Sequence, residues 1–344
     1  MISASLRRRV ARTELSIAAF GFGGAHLGER FGTVDEQVSQ STLDSAWRAG
    51  VRHYDTAPFY GRGLSEHRIG AFLRTQPRDA FTVSTKVGRV MRRPPDPASF
   101  DRSPWVGGLN FDFDYDYSYD GFMRSYEQSL HRLALDTVDA LVIHDLDEGF
   151  HAPDALEAHT RRVLDSGLRA LEELKRAGDI KAIGIGINTD AALNDVAARI
   201  PVDFCLVAMP YTLLDQASLH LGMARCVRDG VSVIIGSPFA SGILATGSQA
   251  GSPQYGYLQA PPEIQERVRR LESVCAAHGV PLPAAALQFV LAHPAVISVV
   301  PGAARPSEVV QNVAALEVPL PAAFWRDLKT QGLVVDDAPV PTGA

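Results

Sequence analysis

The chain has 344 residues, of which 46% are hydrophobic and 21% charged, and its formal net charge is −6 at pH 7. This composition can supply a large buried core, and the acidic balance without a long basic run argues against a nucleic-acid surface. No stretch has the roughly 18 to 20 apolar residues of a membrane span, and the first residues lack the apolar run of a signal peptide. We therefore expect a cytoplasmic protein with neither a membrane nor a nucleic-acid partner. The 3 scattered cysteines, with no histidine cluster beside them, predict neither a disulfide framework nor a metal site.

Short β-branched runs alternate with longer amphipathic runs along most of the chain, which is typical of β/α units around a parallel sheet. Strands are predicted at 17–21, 51–55, 80–85, 138–143, 182–187, 203–207, 231–235 and 296–300. Helices are predicted at 38–49, 66–74, 121–133, 164–177, 191–200, 217–229 and 307–315. Because no long polar linker interrupts this series, we predict a single α/β domain over residues 1–344, closed as a (β/α)8 TIM barrel.

Two long segments break the alternation and are predicted to be loops. Residues 89–119, which end in an acidic and aromatic run, follow the third predicted strand, and residues 239–262, rich in Gly, Ser, Pro and Tyr, follow the seventh. Both emerge at the face where barrels build active sites, and loops of this length are often lids or binding loops. We expect both to line a pocket. The alternative for the acidic aromatic run is a surface loop whose own aromatic rings pack against one another.

Reactive side chains stand where four apolar, strand-like runs end. Asp55 and Tyr60 follow the second predicted strand, Lys86 the third and His144 the fourth. In a barrel of parallel strands these ends converge on one face, and an acid, a phenol, an amine and an imidazole suffice to move a proton beside a carbonyl or alcohol. The alternatives are Asp55 as a turn cap, Asp55 with Lys86 as a plain buried ion pair, and His144 as a structural histidine.

These motifs together resemble the aldo-keto reductase superfamily over nearly the whole chain. The segment from Asp55 to Gly61 matches the family's Asp-Thr-Ala-x-x-Tyr-Gly, and Lys86, His144 and Asn188 match residues at the ends of later strands. The resemblance implies hydride transfer between a substrate carbon and a nicotinamide cofactor, with Asp55, Tyr60, Lys86 and His144 as the catalytic tetrad. Tyr60 would carry the substrate proton, Lys86 held by Asp55 would favour the phenolate of Tyr60, and His144 would orient the substrate oxygen.

The resemblance also implies a cofactor site behind the eighth strand, where the segment 300–305 leads into a helix whose N-terminus can hold a phosphate. Gly302 stands where the family has a lysine that contacts the 2′-phosphate of NADP, so we expect NAD, with NADP as the alternative. Ala208 and Gly236 replace a glutamine and an aromatic residue that hold the nicotinamide in the family, which leaves Ser237 and Phe239 as candidates for that contact. The predicted cofactor-binding residues are Gly23, Asn188, Ser237, Phe239, Pro301, Gly302, Arg305, Glu308, Gln311 and Asn312.

Several segments resemble a narrower branch of the family, which contains aldose 1-dehydrogenases and pyridoxal 4-dehydrogenase. Among them are residues 20–25, 63–66, 84–89, 117–121, 211–214 and 241–247. That branch implies oxidation of the hemiacetal carbon of an aldose such as L-fucose, L-galactose or a D-threo-aldose to the lactone. Pyridoxal, whose hemiacetal also gives a lactone, is the second candidate substrate, and reduction of aldehydes or ketones is the third activity. The predicted substrate contacts are Tyr60, His144, Asp145 and Tyr119, with Asn110, Asp112, Asp114, Ser118 and Asp147 as further loop groups. We expect a monomer or a small homo-oligomer.

Two hypotheses from other functional classes remain open at this point. Lys86 beside Asp55 could form a Schiff base with a carbonyl substrate, which would make the barrel an aldolase. A non-catalytic barrel serving as a sensor subunit is the other reading, and the complete set of four reactive residues argues against it.

Overall fold

Eight parallel strands form the centre of the computed structural model, which describes residues 3–342. The strands, including those of three small antiparallel pairs, are β1 (Arg7–Arg9), β2 (Ser16–Ala18), β3 (Phe22–Gly23), β4 (His53–Asp55), β5 (Thr82–Val87), β6 (Arg89–Arg92), β7 (Asp112–Tyr115), β8 (Ala140–Ile143), β9 (Ala182–Ile187), β10 (Phe204–Ala208), β11 (Ser232–Gly236), β12 (Gln254–Tyr255), β13 (Leu258–Gln259) and β14 (Val296–Val300).

Helices connect these strands on the outside of the sheet. The α-helices are α1 (Glu36–Arg48), α2 (Leu64–Leu73), α3 (Tyr119–Leu133), α4 (Pro153–Arg162), α5 (Leu168–Ala177), α6 (Ala197–Arg199), α7 (Ala224–Asp229), α8 (Ile243–Thr246), α9 (Pro262–Ala277), α10 (Leu282–Leu291), α11 (Pro306–Glu317) and α12 (Ala322–Thr330). Short 3₁₀ turns lie at Gly24–Gly28, Tyr60–Gly63, Arg78–Ala80 and Ala240–Gly242, and π-helical turns at Val163–Gly167, Ala192–Val196 and Leu219–Met223.

The parallel strands follow one another in the order β3-β4-β5-β8-β9-β10-β11-β14. Two parallel bridges, Phe20 with Val299 and Gly23 with Gly302, join the first edge to the last and close the barrel. Gly23 is required at this seam, since a Cβ there would lie 2.6 Å from the carbonyl oxygen of Val300. The closure confirms the predicted TIM-barrel fold. It also brings the chain after β3 next to the chain after β14.

The N-terminal hairpin of β1 and β2 covers the amino-terminal end of the barrel. Val10, Leu15 and Ile17 are buried in one cluster with strand side chains such as Val142 and Phe204. The backbone amide of Ala11 donates to the hydroxyl of Ser232 at the start of β11 (2.7 Å). This end of the barrel is filled by apolar packing, so a cavity is expected at the other end, where the strands have their carboxyl ends.

Helix boundaries follow local capping chemistry. The Asp35 carboxylate accepts from the backbone amides at the start of α1, and the Ser118 hydroxyl accepts from Gly121 N at the start of α3. Gly178 and Gly230 end α5 and α7 in the left-handed conformation and lead into strands. These two glycine stops agree with the predicted helix ends.

The structure corrects four of the predicted elements. The first predicted strand, 17–21, is not one strand. Its first two residues end β2 of the N-terminal hairpin, and its remaining residues lead to β3. The predicted loop 89–119 starts and ends in an antiparallel pair, β6 with β7, and the loop 239–262 contains α8 and the small pair β12 with β13. The fourth predicted helix, 164–177, is the end of a longer helical segment that begins at Pro153.

Among residues 3–342, no single helix is long and apolar enough to cross a membrane. The helices α9 and α10 reach this length and hydropathy only when they are taken together, and a 99° bend separates them.

Candidate active site

Asp55 and Lys86 form a buried ion pair at the carboxyl ends of neighbouring strands. The ammonium Nζ of Lys86 donates to Asp55 Oδ2 at 2.7 Å and to the Thr56 carbonyl at 2.8 Å, while the Ser84 hydroxyl donates to Asp55 Oδ1 at 2.8 Å. Only 1% of the Lys86 side chain and 3% of the Asp55 side chain are exposed. Two of these bonds hold the cation in one position and the third orients its carboxylate partner, which a solvent-exposed pair of this kind would not achieve.

Tyr60 lies directly above this cation. The ammonium of Lys86 is 4.6 Å from the centre of the Tyr60 ring, and the ring meets that of His144 edge to face at 5.8 Å. Burial and the carboxylates of Asp55 and Asp145 raise the pKa of Tyr60 well above its ordinary value. The net shift is therefore opposite to the one expected from the neighbouring ammonium, and the phenol form is favoured in the free protein. Tyr60 carries its proton at neutral pH.

His144 follows β8 and forms the third wall of this cluster. Its backbone amide donates to the Val87 carbonyl (3.0 Å), and its Nε2 lies 3.3 Å from Asp145 Oδ2. Burial, together with the positive charges of Arg89 and Lys86, lowers the pKa of His144 well below its ordinary value, so the imidazole is neutral. Its Nδ1 is buried and has no partner among residues 3–342. A neutral imidazole can give or take one hydrogen bond at a bound oxygen.

The four predicted catalytic residues all line one cavity of about 1370 Å³. A single small-molecule ligand occupies about 300 to 1,000 Å³, so this volume suits a large cofactor together with a substrate. At one end stand Tyr60, His144 and Asp145 among the rings of Phe59, Trp105, Phe150 and Tyr257. The other end extends along β14 to the first turn of α11.

The cavity also contains nearly all of the residues predicted to hold a cofactor. Its lining includes Gly23, Asn188, Ser237, Phe239, Gly302, Arg305, Glu308, Gln311 and Asn312. Pro301 is the exception and corrects the prediction: it is buried in the barrel seam, where its carbonyl accepts from the Gly23 amide at 2.9 Å. Arg305 is exposed at the start of α11, and the Glu308 carboxylate accepts from the Ala304 amide at 2.7 Å.

His26 occupies the space that a side chain at position 302 would need. A Cβ built on Gly302 would lie 1.9 Å from His26 Nδ1, a nitrogen that is buried and finds no partner within the described part of the chain. Burial lowers the pKa of His26, against a smaller opposite effect of Glu308. Where the family has a lysine, this chain thus has Gly302, and the neutral imidazole of His26, from the turn after β3, fills the space beside it.

Tyr119 does not bind substrate in the predicted way, and this expectation is corrected. It is the first residue of α3, where its hydroxyl donates to Glu173 Oε2 at 2.6 Å, away from the cavity. The acidic aromatic run is likewise no pocket wall: Asp112 and Asp114 pair with Arg92 on the hairpin. Of the predicted loop groups only Asp145 lines the cavity, since Asn110, Ser118 and Asp147 bond within their own loops or to Asn188.

Several cavity residues were missed by the sequence reasoning. Trp105 and Tyr257 belong to the two long loops that were expected to line a pocket, and each lies against the guanidinium of Arg30 at 5.8 and 5.4 Å from the ring centres. His26 lies in the short turn after β3, and Phe150 lies in the loop after β8. Their position in segments that follow barrel strands was the available signal. Within residues 3–342, no three His, Cys, Asp or Glu side chains gather in a way that could hold a metal ion.

A family model for the "Aldo/keto reductase family" matches residues 19–331, which include every residue of the cluster around Tyr60. The chain belongs to this family. Its members transfer a hydride with a nicotinamide cofactor, and this chain is an oxidoreductase of that type.

Curated relatives of this aldo/keto reductase are similar over most of their length. A pyridoxal 4-dehydrogenase of Microbacterium luteolum is 39% identical over 97% of this chain and 99% of its own. A D-threo-aldose 1-dehydrogenase of a Pseudomonas species is 38% identical, covering 94% and 97%, and an L-galactose dehydrogenase of Arabidopsis thaliana is 32% identical, covering 90% and 87%. The predicted branch of the family is therefore confirmed.

Solved structures of aldo-keto reductases share the fold of this family member. The holo form of one from Bacillus halodurans superimposes with a TM-score of 0.72 at 24% identity, covering 99% of both chains. A glycerol dehydrogenase of Gluconobacter oxydans gives 0.70 at 20% identity, covering 98% of both. At these identities the likeness concerns the fold.

Proposed function

We propose that this aldo/keto reductase oxidises the hemiacetal carbon of a cyclic substrate, in the first place an aldose such as L-fucose, L-galactose or a D-threo-aldose, to the lactone. The observation that carries the proposal is the stack of Lys86, Tyr60 and His144 at one end of a cavity that continues to α11. Relatives named D-threo-aldose 1-dehydrogenase and L-galactose dehydrogenase support the substrate class.

The cavity suits a nicotinamide dinucleotide, which would supply the hydride acceptor. Its length beyond Tyr60 supports this fit, as do the buried His26 nitrogen, unpartnered within residues 3–342, and the start of α11, which lines the cavity at Glu308. Asn188, Ser237 and Phe239 would hold the end near Tyr60, and Glu308, Gln311 and Asn312 the other end. We propose NAD rather than NADP, because Gly302 offers no cation and His26 fills the space beside it.

Each residue of the cluster would have a separate task in the proposed reaction. Tyr60 would take the proton of the substrate hydroxyl in oxidation and return it in reduction. Since the pKa of Tyr60 is raised, the protonated form is ready for reduction, and the rate of oxidation should rise with pH. Neutral His144 would orient the reacting oxygen, and Asp145 would accept a hydrogen bond from a neighbouring hydroxyl. Lys86, fixed by Asp55, would stabilise the phenolate once it forms.

Pyridoxal is the second candidate substrate, and the lining of the cavity favours it. Four rings, those of Phe59, Trp105, Phe150 and Tyr257, surround the reacting end, whereas Asp145 is the one loop carboxylate of the predicted set that faces it. Such walls can stack on a flat pyridine ring. The relative named pyridoxal 4-dehydrogenase supports this candidate as well.

The test is formation of NADH over a panel of aldoses and pyridoxal, with NAD and NADP in parallel. Turnover of one class of hemiacetal with identification of the lactone supports the proposal. No turnover with any of them, together with a borohydride-trapped adduct on Lys86, would replace it by the Schiff-base mechanism. A marked preference for NADP would overturn the cofactor assignment.

Three broader expectations belong to the same proposal. They are a single domain over residues 1–344, a cytoplasmic location, and a monomer or small homo-oligomer. Limited proteolysis, fractionation of the source cells and sedimentation at several concentrations test them in turn.

A further inference from the structure

Arg89 is a fully buried cation to which no role has yet been given. It begins β6, immediately after Gly88, and 1% of its side chain is exposed. The guanidinium carbon lies 4.5 Å from the ring centre of Phe59, 4.9 Å from that of Tyr115 and 5.2 Å from that of Phe113. Removing such a charge from water is costly unless it is paired. The three rings offset part of that cost.

The hydrogen bonds of Arg89 are few for an arginine in this position. Its Nη2 donates to Asp145 Oδ2 at 2.9 Å and to the Tyr115 hydroxyl at 3.3 Å, while its Nε and Nη1 find no partner among residues 3–342. Arg68, with 6% of its side chain exposed, donates instead to Leu27 O, Val34 O and the carboxylates of Glu29 and Glu36. Arg68 is satisfied as a structural arginine is, whereas the carboxylate with which Arg89 pairs is that of Asp145, at the wall of the cavity.

Asp145 has a left-handed backbone conformation. Its backbone φ is +49°, which a non-glycine residue rarely takes. Oδ1 accepts from Asn188 Nδ2 at 3.0 Å, and Oδ2, the oxygen paired with Arg89, lies 3.3 Å from His144 Nε2. The carboxylate thus has two anchors, and with them it stands at the cavity wall against the imidazole.

We propose that Arg89 is a positioning residue of the active site, which acts through Asp145 by holding that carboxylate beside His144 and Tyr60. The inference rests on the proposed function, because it assumes that the proton is exchanged at Tyr60. It also explains why an incompletely bonded cation is buried behind the reacting end of the cavity.

The arrangement has an electrostatic consequence with a definite sign. The charged or titratable groups around Tyr60 are Asp55 on β4, Lys86 on β5, Arg89 on β6, His144 and Asp145 after β8, and Tyr257 after β11. Among them Asp145 raises the pKa of Tyr60 and Arg89 lowers it. The Asp145 carboxylate has this effect only while it is held beside Tyr60, so Asp145→Asn should move the titration of Tyr60 to lower pH.

The test is kcat, KM and the pH profile of kcat/KM for hemiacetal oxidation by wild type, Arg89→Gln, Arg89→Lys, Asp145→Asn and the double variant Arg89→Gln with Asp145→Asn. Oxidation increases with pH as Tyr60 loses its proton, and for Asp145→Asn we expect the profile to move to lower pH. For Arg89→Gln we expect a higher KM with a smaller change of kcat, because the Asp145 carboxylate loses its anchor, and no further rise of KM when it is added to Asp145→Asn. Arg89→Lys keeps the charge and one N–H donor and should recover part of the wild-type KM, since a single N–H···O bond joins Arg89 to Asp145.

Arg78→Gln is the matched control. Arg78 Nη2 pairs with the buried carboxylate of Asp139 at 2.9 Å, at the opposite end of the barrel, so its loss should leave KM and the pH profile unchanged. An unchanged KM in folded Arg89→Gln, or the same rise of KM when Arg89→Gln is added to Asp145→Asn, would overturn the inference. If Arg89→Gln does not fold, Arg89→Lys decides, and a KM equal to that of wild type would overturn the inference. A wild type without nicotinamide-linked activity would instead refute the proposed function.

Discussion

Replacement of Lys86 by methionine tests whether the ion pair beneath Tyr60 also supports the fold. The variant keeps most of the side-chain volume but removes the ammonium, which donates to Asp55 at 2.7 Å and to the Thr56 carbonyl at 2.8 Å. The Asp55 carboxylate, 3% exposed, would keep only the Ser84 hydroxyl as a side-chain partner. Breaking a buried pair in this way costs about 3 to 5 kcal/mol, because the remaining charge stays buried.

This loss corresponds to a measurable change in melting temperature. With an unfolding entropy of about 2.1 cal/mol/K per residue, a chain of 344 residues loses about 1 °C for each 0.7 kcal/mol, so Tm should fall by about 4 to 7 °C. Differential scanning calorimetry at pH 7 measures it. The double variant of Lys86→Met with Asp55→Asn should recover part of the loss, since no unpaired charge remains.

Lys181→Met is the control for this prediction. Its ammonium lies 2.8 Å from Asp139 Oδ1, a similar contact, but 56% of the Lys181 side chain is exposed. Such a pair contributes about 1 kcal/mol or less, so Tm should hardly change. If Lys86→Met lowers Tm no more than Lys181→Met does, the reasoning from burial is refuted.

Three further variants test proton transfer by Tyr60, the close contact of Gly302 with His26, and the hydrogen bond of Tyr119. Tyr60→Phe removes the proton carrier and should lower kcat by a factor of about 10² to 10⁴ with Tm unchanged, and an active variant would exclude Tyr60 from proton transfer. Gly302→Lys forces a Cβ to within 1.9 Å of His26 Nδ1 and should destabilise the protein by about 1 to 3 kcal/mol. The addition of His26→Ala should restore stability in thermal unfolding, and a neutral single variant would contradict the close approach. Tyr119→Phe loses one hydrogen bond and about 1 kcal/mol of stability, and kcat/KM should not change.

The tetrad could be predicted from the sequence because its members follow apolar strands directly. The backbone of a parallel barrel then fixes where Asp55, Lys86 and His144 lie, whatever the loops do. The strand at 182–187 and the strand at 296–300 were also predicted with the bounds that the structure has. Buried strands with β-branched residues carry the strongest periodic signal.

The remaining parts of the site depend on geometry that a local pattern does not contain. His26 meets Gly302 only because the barrel closes between β3 and β14. Tyr119 was misplaced because the Ser118 cap starts α3 two residues before the predicted start, which makes Tyr119 helical and turns its hydroxyl to Glu173. The role of Arg89 depends on the left-handed turn at Asp145. The raised pKa of Tyr60 depends on burial and on the nearby carboxylates of Asp55 and Asp145, which outweigh the opposite effect of Arg89.

In the proposed reaction, hydride leaves the hemiacetal carbon of a ring substrate while Tyr60 takes the hydroxyl proton. Isotope transfer tests this step: the enzyme and NAD are incubated with L-fucose, L-galactose and a D-threo-aldose deuterated at C1, and with pyridoxal deuterated at its aldehyde carbon. We expect deuterium at C4 of the nicotinamide ring and formation of the lactone from at least one of them, with both lost in Tyr60→Phe. Deuterium retained in every recovered substrate, or transferred equally well by Tyr60→Phe, would contradict the proposed reaction.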